Sequence, residues 1–166
     1  RYNLKEDKEP LLIHSDLSLI DYKGRLLENS HNKLIKNQKN FISKNTALYY
    51  NAVPGCALSI NSALANKITY NKNMVMHDWW ILLSAIYEKT NIVYIDFPLV
   101  KYRQHSGNVL GYKKNNILIL FIRLLFKISR YIKNVKKSYS QSKHFHYQTL
   151  LQYSIRLIIH QVRMNL

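Results

Sequence analysis

The sequence predicts an α/β fold followed by a helical tail, on three observations. Short runs suited to buried strands, Leu11-Leu12-Ile13-His14, Cys56-Ala57-Leu58-Ser59-Ile60 and Ile92-Val93-Tyr94-Ile95, are set between polar, turn-forming residues. Between the second and third runs, Trp79, Leu82, Leu83 and Ile86 recur at helical spacing and form one apolar stripe. The last third carries long apolar stretches of helical period. Residues 1–111 are accordingly assigned to an α/β unit and residues 112–166 to a basic amphipathic tail.

The elements follow in order. Leu11–His14 is a strand that Ser15-Asp16 ends, so Asp16 stands where a strand enters a loop, a common place for a functional carboxylate and equally for a turn-forming one. Leu17, Leu19 and Asp21-Tyr22-Lys23-Gly24 read as a short extended segment and a turn, with Gly24 supplying a permissive backbone. Residues 29–51 hold amphipathic helical pieces. Pro54 holds Val53 extended, and Gly55 lets a second backbone or a ligand come close. Cys56–Ile60 is a strand, with Asn61 or Ser62 capping a short helix through Asn66. Ile92–Ile95 is a strand, Asp96-Phe97-Pro98 turns it, and Leu99–Arg103 alternates as another strand that delivers Arg103, Gln104 and His105 into a loop. Ile117–Ile132 is strongly apolar, but Arg123 and Lys127 leave too little uncharged length to span a bilayer. Arg123, Lys127, Arg130 and Lys137 form a basic stripe, the pattern of a helix lying on an anionic membrane or of one packed on the domain. The last helix runs from Leu150 to Val162, with Leu150, Leu151, Ser154, Leu157, Ile158 and Val162 on one side.

Charge narrows the partners. The formal net charge is +16, and no Asp or Glu follows Asp96 while Lys and Arg continue to Arg163. Such asymmetry points to phospholipid head groups, a phosphorylated substrate or nucleic acid, and no nucleic-acid-binding motif accompanies it. The single cysteine, Cys56, excludes an internal disulfide and a cysteine zinc cluster; the default for it is a small buried thiol.

Chemistry centres on Met76-His77-Asp78-Trp79-Trp80. Asp78 falls in the first turn of the stripe-bearing helix, where the dipole stabilises a carboxylate. A carboxylate beside wide aromatic surface suits a site that binds a polyhydroxylated ring and takes a proton from it. The same residues also suit a helix start above two core tryptophans. Arg103, Gln104 and His105 at a strand end suit a diphosphate or a metal-bound leaving group.

Three stretches in series resemble the second half of a bacterial family-2 glycosyltransferase of the rhamnosyltransferase-like branch. They are His14-Ser15-Asp16-Leu17-Ser18-Leu19-Ile20-Asp21-Tyr22-Lys23-Gly24, then Asn51-Ala52-Val53-Pro54-Gly55-Cys56-Ala57-Leu58-Ser59-Ile60-Asn61, then His77-Asp78-Trp79-Trp80 through Tyr94-Ile95-Asp96 and Pro98-Leu99 to Tyr102-Arg103-Gln104-His105 and on to Asn108, Val109 and Gly111. Pro54, Ile60 and Ser62 depart from the family pattern, and the nucleotide-binding half with its Asp-x-Asp motif has no counterpart. The resemblance implies part of a Rossmann-like nucleotide-diphospho-sugar transferase domain with a mixed sheet, inactive by itself. It implies an inverting transfer of sugar from a nucleotide-sugar donor to a glycan or lipid-linked acceptor in cell-surface polysaccharide synthesis. Asp78 would be the general base, and His77, Trp79, Trp80, Gly55 and Asp16 would shape the substrate site. Arg103 and Gln104 would face the diphosphate. His105 would assist a divalent metal, Mg or Mn, held mainly by the missing half. The expected location is the cytoplasmic face of the cell membrane, with Arg123, Lys127, Arg130 and Lys137 against its anionic surface. The competing expectation is a non-catalytic basic module that binds anionic membrane.

Overall fold

The structure is a computed structural model that describes residues 9–34, 44–69, 71–72, 74–105, 135–145 and 149–165. It is a mixed α/β arrangement around a four-stranded open sheet. The strands are β1 (Leu11–Ile20), β2 (Leu26–Glu28), β3 (Leu58–Ile60) and β4 (Asn91–Arg103). The helices are α1 (His31–Leu34), α2 (Lys44–Ala47), α3 (Ser62–Ala65), α4 (His77–Tyr87), α5 (residues 135–145) and α6 (Leu150–Asn165).

β1 organises the sheet. β4 runs parallel to it from Leu11↔Asn91 to Ile20↔Arg103. With that edge filled, the antiparallel partners share the other one: β3 pairs with Leu12–His14 and β2 with Leu19 and Ile20. Its faces are covered as well: Leu12 to Ile20 is buried at every position but Ile13.

Three strand assignments change. Ser15-Asp16 does not end the first strand, because Leu17 and Leu19 continue its alternation and pack on Ala57, Val100 and Tyr102. Asp16 therefore sits within a strand rather than at its exit. The two strands expected around Asp96-Phe97-Pro98 are one: Ser15 pairs with Ile95 and Asp16 with Pro98, so the extra residues form a bulge, which is where a strand tolerates proline. Gly55–Ala57 is a single 3-10 turn, closed by the Ala57 N–H donating to the Pro54 carbonyl at 2.9 Å, and only Leu58–Ile60 is extended.

Other assignments hold. Gly24 takes φ +86° in the β1–β2 turn, where Asp21 accepts from the Lys23 and Arg25 backbone N–H groups. Asn61 caps α3 by accepting from the Leu64 N–H, and it also accepts from the Leu11 N–H, tying the cap to the start of β1. The stripe on α4 is core: Trp79, Leu82 and Leu83 are buried together with Ala47, Leu48, Tyr49 and Val53, and Ile86 packs against them.

The described tail residues enter that same core. Tyr153 and Leu157 of α6 are buried in it, with Val135, Tyr139 and Phe145 of α5 packed against it. Of the side expected to face inward, Leu157 is buried, with Tyr153 beside it, whereas Leu150, Leu151 and Ile158 are exposed, so the inward side is turned toward Tyr153. The α6 pattern is apolar on two sides, so periodicity alone could not say which side meets the core. Lys137 is exposed on α5; Arg123, Lys127 and Arg130 lie outside the described residues. No described helix is long and apolar enough to cross a membrane.

Candidate functional site

The start of α4 meets the turn before β3. Met76, the N-cap, is extended and contributes no side-chain bond to the helix. Asp78 supplies anionic complement instead: Oδ1 accepts from the Trp79 N–H at 2.8 Å, and Oδ2 accepts from the Gly55 N–H at 3.0 Å. The carboxylate is buried, and no described cation pairs with it. Each oxygen holds one donor, which leaves acceptor capacity on both.

Gly55 has to be glycine for this contact. A Cβ there would lie 2.8 Å from His77 Nε2 and 3.2 Å from both Cβ and Oδ2 of Asp78. The close approach expected at Gly55 is thus to the first turn of α4. His77 itself is exposed beside it. Cys56, next in the turn, is exposed rather than buried. Partial burial of its thiol, with the Asp78 charge nearby, pushes its pKa up, so it is a poor nucleophile at neutral pH. A mainly apolar groove of about 240 Å³ shares the turn, lined by Cys56, Ala57, Ser15, Ile95, Leu99 and Val100 among others.

Both tryptophans hold α4 in place. The Trp79 Nε1–H donates to the Ala47 carbonyl at 2.6 Å and the Trp80 Nε1–H to the Thr69 carbonyl at 3.0 Å. Trp80 packs against the rings of His144 and Phe145, 5.0 and 4.7 Å between centroids. At 8% and 2% exposure neither indole offers a face to a sugar. Of the two roles open in the sequence, anchoring is the one seen.

Asp16 is bound differently. Oδ1 accepts from the Leu17 and Asn32 backbone N–H groups at 2.7 and 3.1 Å, and Oδ2 accepts from the Ser30 hydroxyl. Asn32 Nδ2 then donates to the Tyr94 hydroxyl at 3.0 Å, and that hydroxyl donates to Asp96 at 3.1 Å. This network joins β1, β4 and the start of α1. Sequence reading missed Ser30, Asn32 and Tyr94 as its members; the only hint was polar residues inside otherwise apolar strands. His14, also missed, is buried against Tyr94 at 4.9 Å between ring centroids, and neither ring nitrogen has a hydrogen-bond partner among the described residues. Burial lowers its pKa to about 4.

Arg103 and Gln104 fasten the end of β4. Arg103 Nη1 donates to the carbonyls of Asp21 and Tyr22 at 3.2 and 3.0 Å, and the Gln104 N–H donates to the Ile20 carbonyl at 2.7 Å. His105 follows, exposed. No hydrogen bond or ion pair joins these three to Gly55, His77 or Asp78 among the described residues. Among the described residues no group of three His, Cys, Asp or Glu side chains is placed to hold a metal ion.

Comparison with protein-family models, with characterised proteins and with solved structures returns no match.

Proposed function

We propose that the chain is the acceptor-side part of a family-2-like glycosyltransferase, with a Rossmann-like arrangement of its sheet. In this reading it transfers a sugar from a nucleotide-sugar to a glycan or lipid-linked acceptor at the inner membrane face, in building cell-surface polysaccharide. One observation carries the reading: a buried carboxylate with no cation paired to it among the described residues, Asp78, held at a helix start by two backbone N–H groups with acceptor capacity to spare. Such a group is preorganised to accept a proton and has no competing ion pair.

The acceptor hydroxyl gives its proton to Asp78 as its oxygen attacks the anomeric carbon. The bond to the nucleoside diphosphate breaks on the opposite face, and the diphosphate leaves with the electron pair, inverting the centre. His77, exposed beside Asp78, borders the acceptor. Arg103, Gln104 and His105, at the end of β4, face the diphosphate, with Arg103 Nη1 fixed to the turn after β1. A divalent ion, where one takes part, is held chiefly by residues other than these.

The test is sugar transfer by the chain within its complete reading frame, with and without Asp78→Asn. Loss of turnover with unchanged circular dichroism is expected. Turnover like that of the wild type removes Asp78 from the role of base and takes this reading with it.

A further inference from the structure

α6 has two apolar sides. Tyr153 and Leu157, four residues apart, face the core and are buried. At 100° per residue, Leu151, Ile155, Ile158 and Ile159 fall on the opposite side. They are exposed at 70%, 49%, 55% and 46%. Four large aliphatic side chains on one outward helix face make a contiguous strip, not the scattered exposure normal for a surface. No described residue covers it.

The part of the chain that carries the strip is of one sign. From Phe97 to Leu166 the chain has no Asp or Glu. Arg156 is exposed at the margin of the strip, and Lys136, Lys137 and Lys143 are exposed on the preceding helix. An aliphatic strip with Arg156 at its margin, on a part of the chain that carries cations and no acids, is complementary to a surface that offers hydrocarbon beneath negative charge.

We propose that the outward face of α6, Leu151, Ile155, Ile158 and Ile159, is a docking surface for an anionic phospholipid bilayer. The helix lies flat in the interface, with its inner side still packed on the core through Tyr153 and Leu157. The surface rests on the membrane placement of the reading above but not on its transfer chemistry. It also differs from the basic stripe that the sequence predicts, since the apolar contact is on the last helix.

The experiment is sedimentation of the purified chain with vesicles of phosphatidylcholine alone or mixed with phosphatidylglycerol, without any nucleotide-sugar. Binding at least about tenfold stronger to the anionic vesicles is expected, weakening as salt rises. The double variant Ile155→Ser/Ile158→Ser should lose about tenfold or more of that binding, while Leu26→Ser/Leu27→Ser, equally exposed on β2, should lose none. Equal loss in both pairs, equal binding to the two vesicle types, or a chain that ignores vesicles overturns the proposal. So does a dimer in analytical ultracentrifugation that Ile155→Ser/Ile158→Ser dissociates, because the strip would then belong to a second copy. Vesicle binding by the purified chain with no sugar transfer by the complete reading frame leaves the docking surface standing and counts against the transferase, and transfer by the complete reading frame without vesicle binding does the reverse.

Discussion

Asp16 and Asp78 are both buried carboxylates, yet they are built for different work. Asp16 is 4% exposed and holds three donors from its own neighbour, Ser30 and Asn32. Asp78 is 5% exposed and holds two, both backbone N–H groups. The donors on Asp16 come from segments that would otherwise be separate, so its charge is used to join β1 to the start of α1. Those on Asp78 are a helix start and a turn already fixed by other bonds, which leaves the carboxylate as a local receptor. Burial is alike in the two; on the proposed reading, the origin and number of the donors set the chemical acid apart from the structural one.

Substitutions should split the pair in opposite directions. The largest effect is expected at Asp78: Asp78→Asn should lower transfer by about 10²–10⁴-fold, the usual contribution of a general base, while stability falls by roughly 1 kcal/mol or less. Steady-state kinetics beside urea unfolding measures both. Asp16→Ala should do the reverse. It strands the Ser30 hydroxyl and the Asn32 N–H in the interior, and about 3 kcal/mol of stability should be lost on the scale of unpaired buried groups. An Asp16→Ala protein with the wild-type urea midpoint would show that the network joins nothing.

The sequence carried the local half of this comparison and not the rest. The helix of α4, the cap at Asn61 and the turn at Gly24 were legible because each depends on residues within one turn of one another. The unity of β4 was not, since Asp96-Phe97-Pro98 is a turn signal by local rules and becomes a bulge only because β1 runs alongside. The partners of Asp16 lie 14 and 16 residues away, and the Tyr94 hydroxyl meets Asn32 across 62 positions. Asp78 was legible as a helix-start carboxylate, but Gly55 as its partner needed the tertiary contact. On α6, two apolar sides gave the pattern a choice that only packing against the core resolved.

His14 extends the contrast to a buried base. Asp16 keeps a paired polar site through donors, whereas His14 has none and its pKa falls from 6.5 to about 4 through burial. The unfolded chain therefore binds a proton below about pH 6.5 that the folded chain refuses until about pH 4. Stability is fully present above that window and declines as pH falls through it, by roughly 2–3 kcal/mol. His14→Leu, apolar and of similar size, should remove that part of the slope and leave stability at pH 7 unchanged or slightly raised. Urea midpoints of both proteins at pH 7, 6, 5 and 4 decide it; parallel slopes would assign the acid sensitivity to other groups.

Gly55→Ala sharpens the comparison from the side of the turn. The added methyl meets the imidazole end of His77, which can rotate away because the side chain is exposed, but also Asp78 Cβ and Oδ2 at 3.2 Å, which cannot move without shifting the helix start. The turn must then back off by a few tenths of an ångström and lengthen the bond from the Gly55 N–H. A stability loss of about 1–2 kcal/mol is expected, smaller than at Asp16 because no buried donor is wholly stranded. The transfer rate should fall more than this loss explains, since the carboxylate loses one of the two groups that aim it. Combining Gly55→Ala with His77→Ala separates the two contacts. If relieving the imidazole restores both stability and turnover, the clash is with His77 and Asp78 does not depend on the turn. If stability recovers in part while turnover stays well below that of His77→Ala alone, the Gly55 N–H is what positions the base.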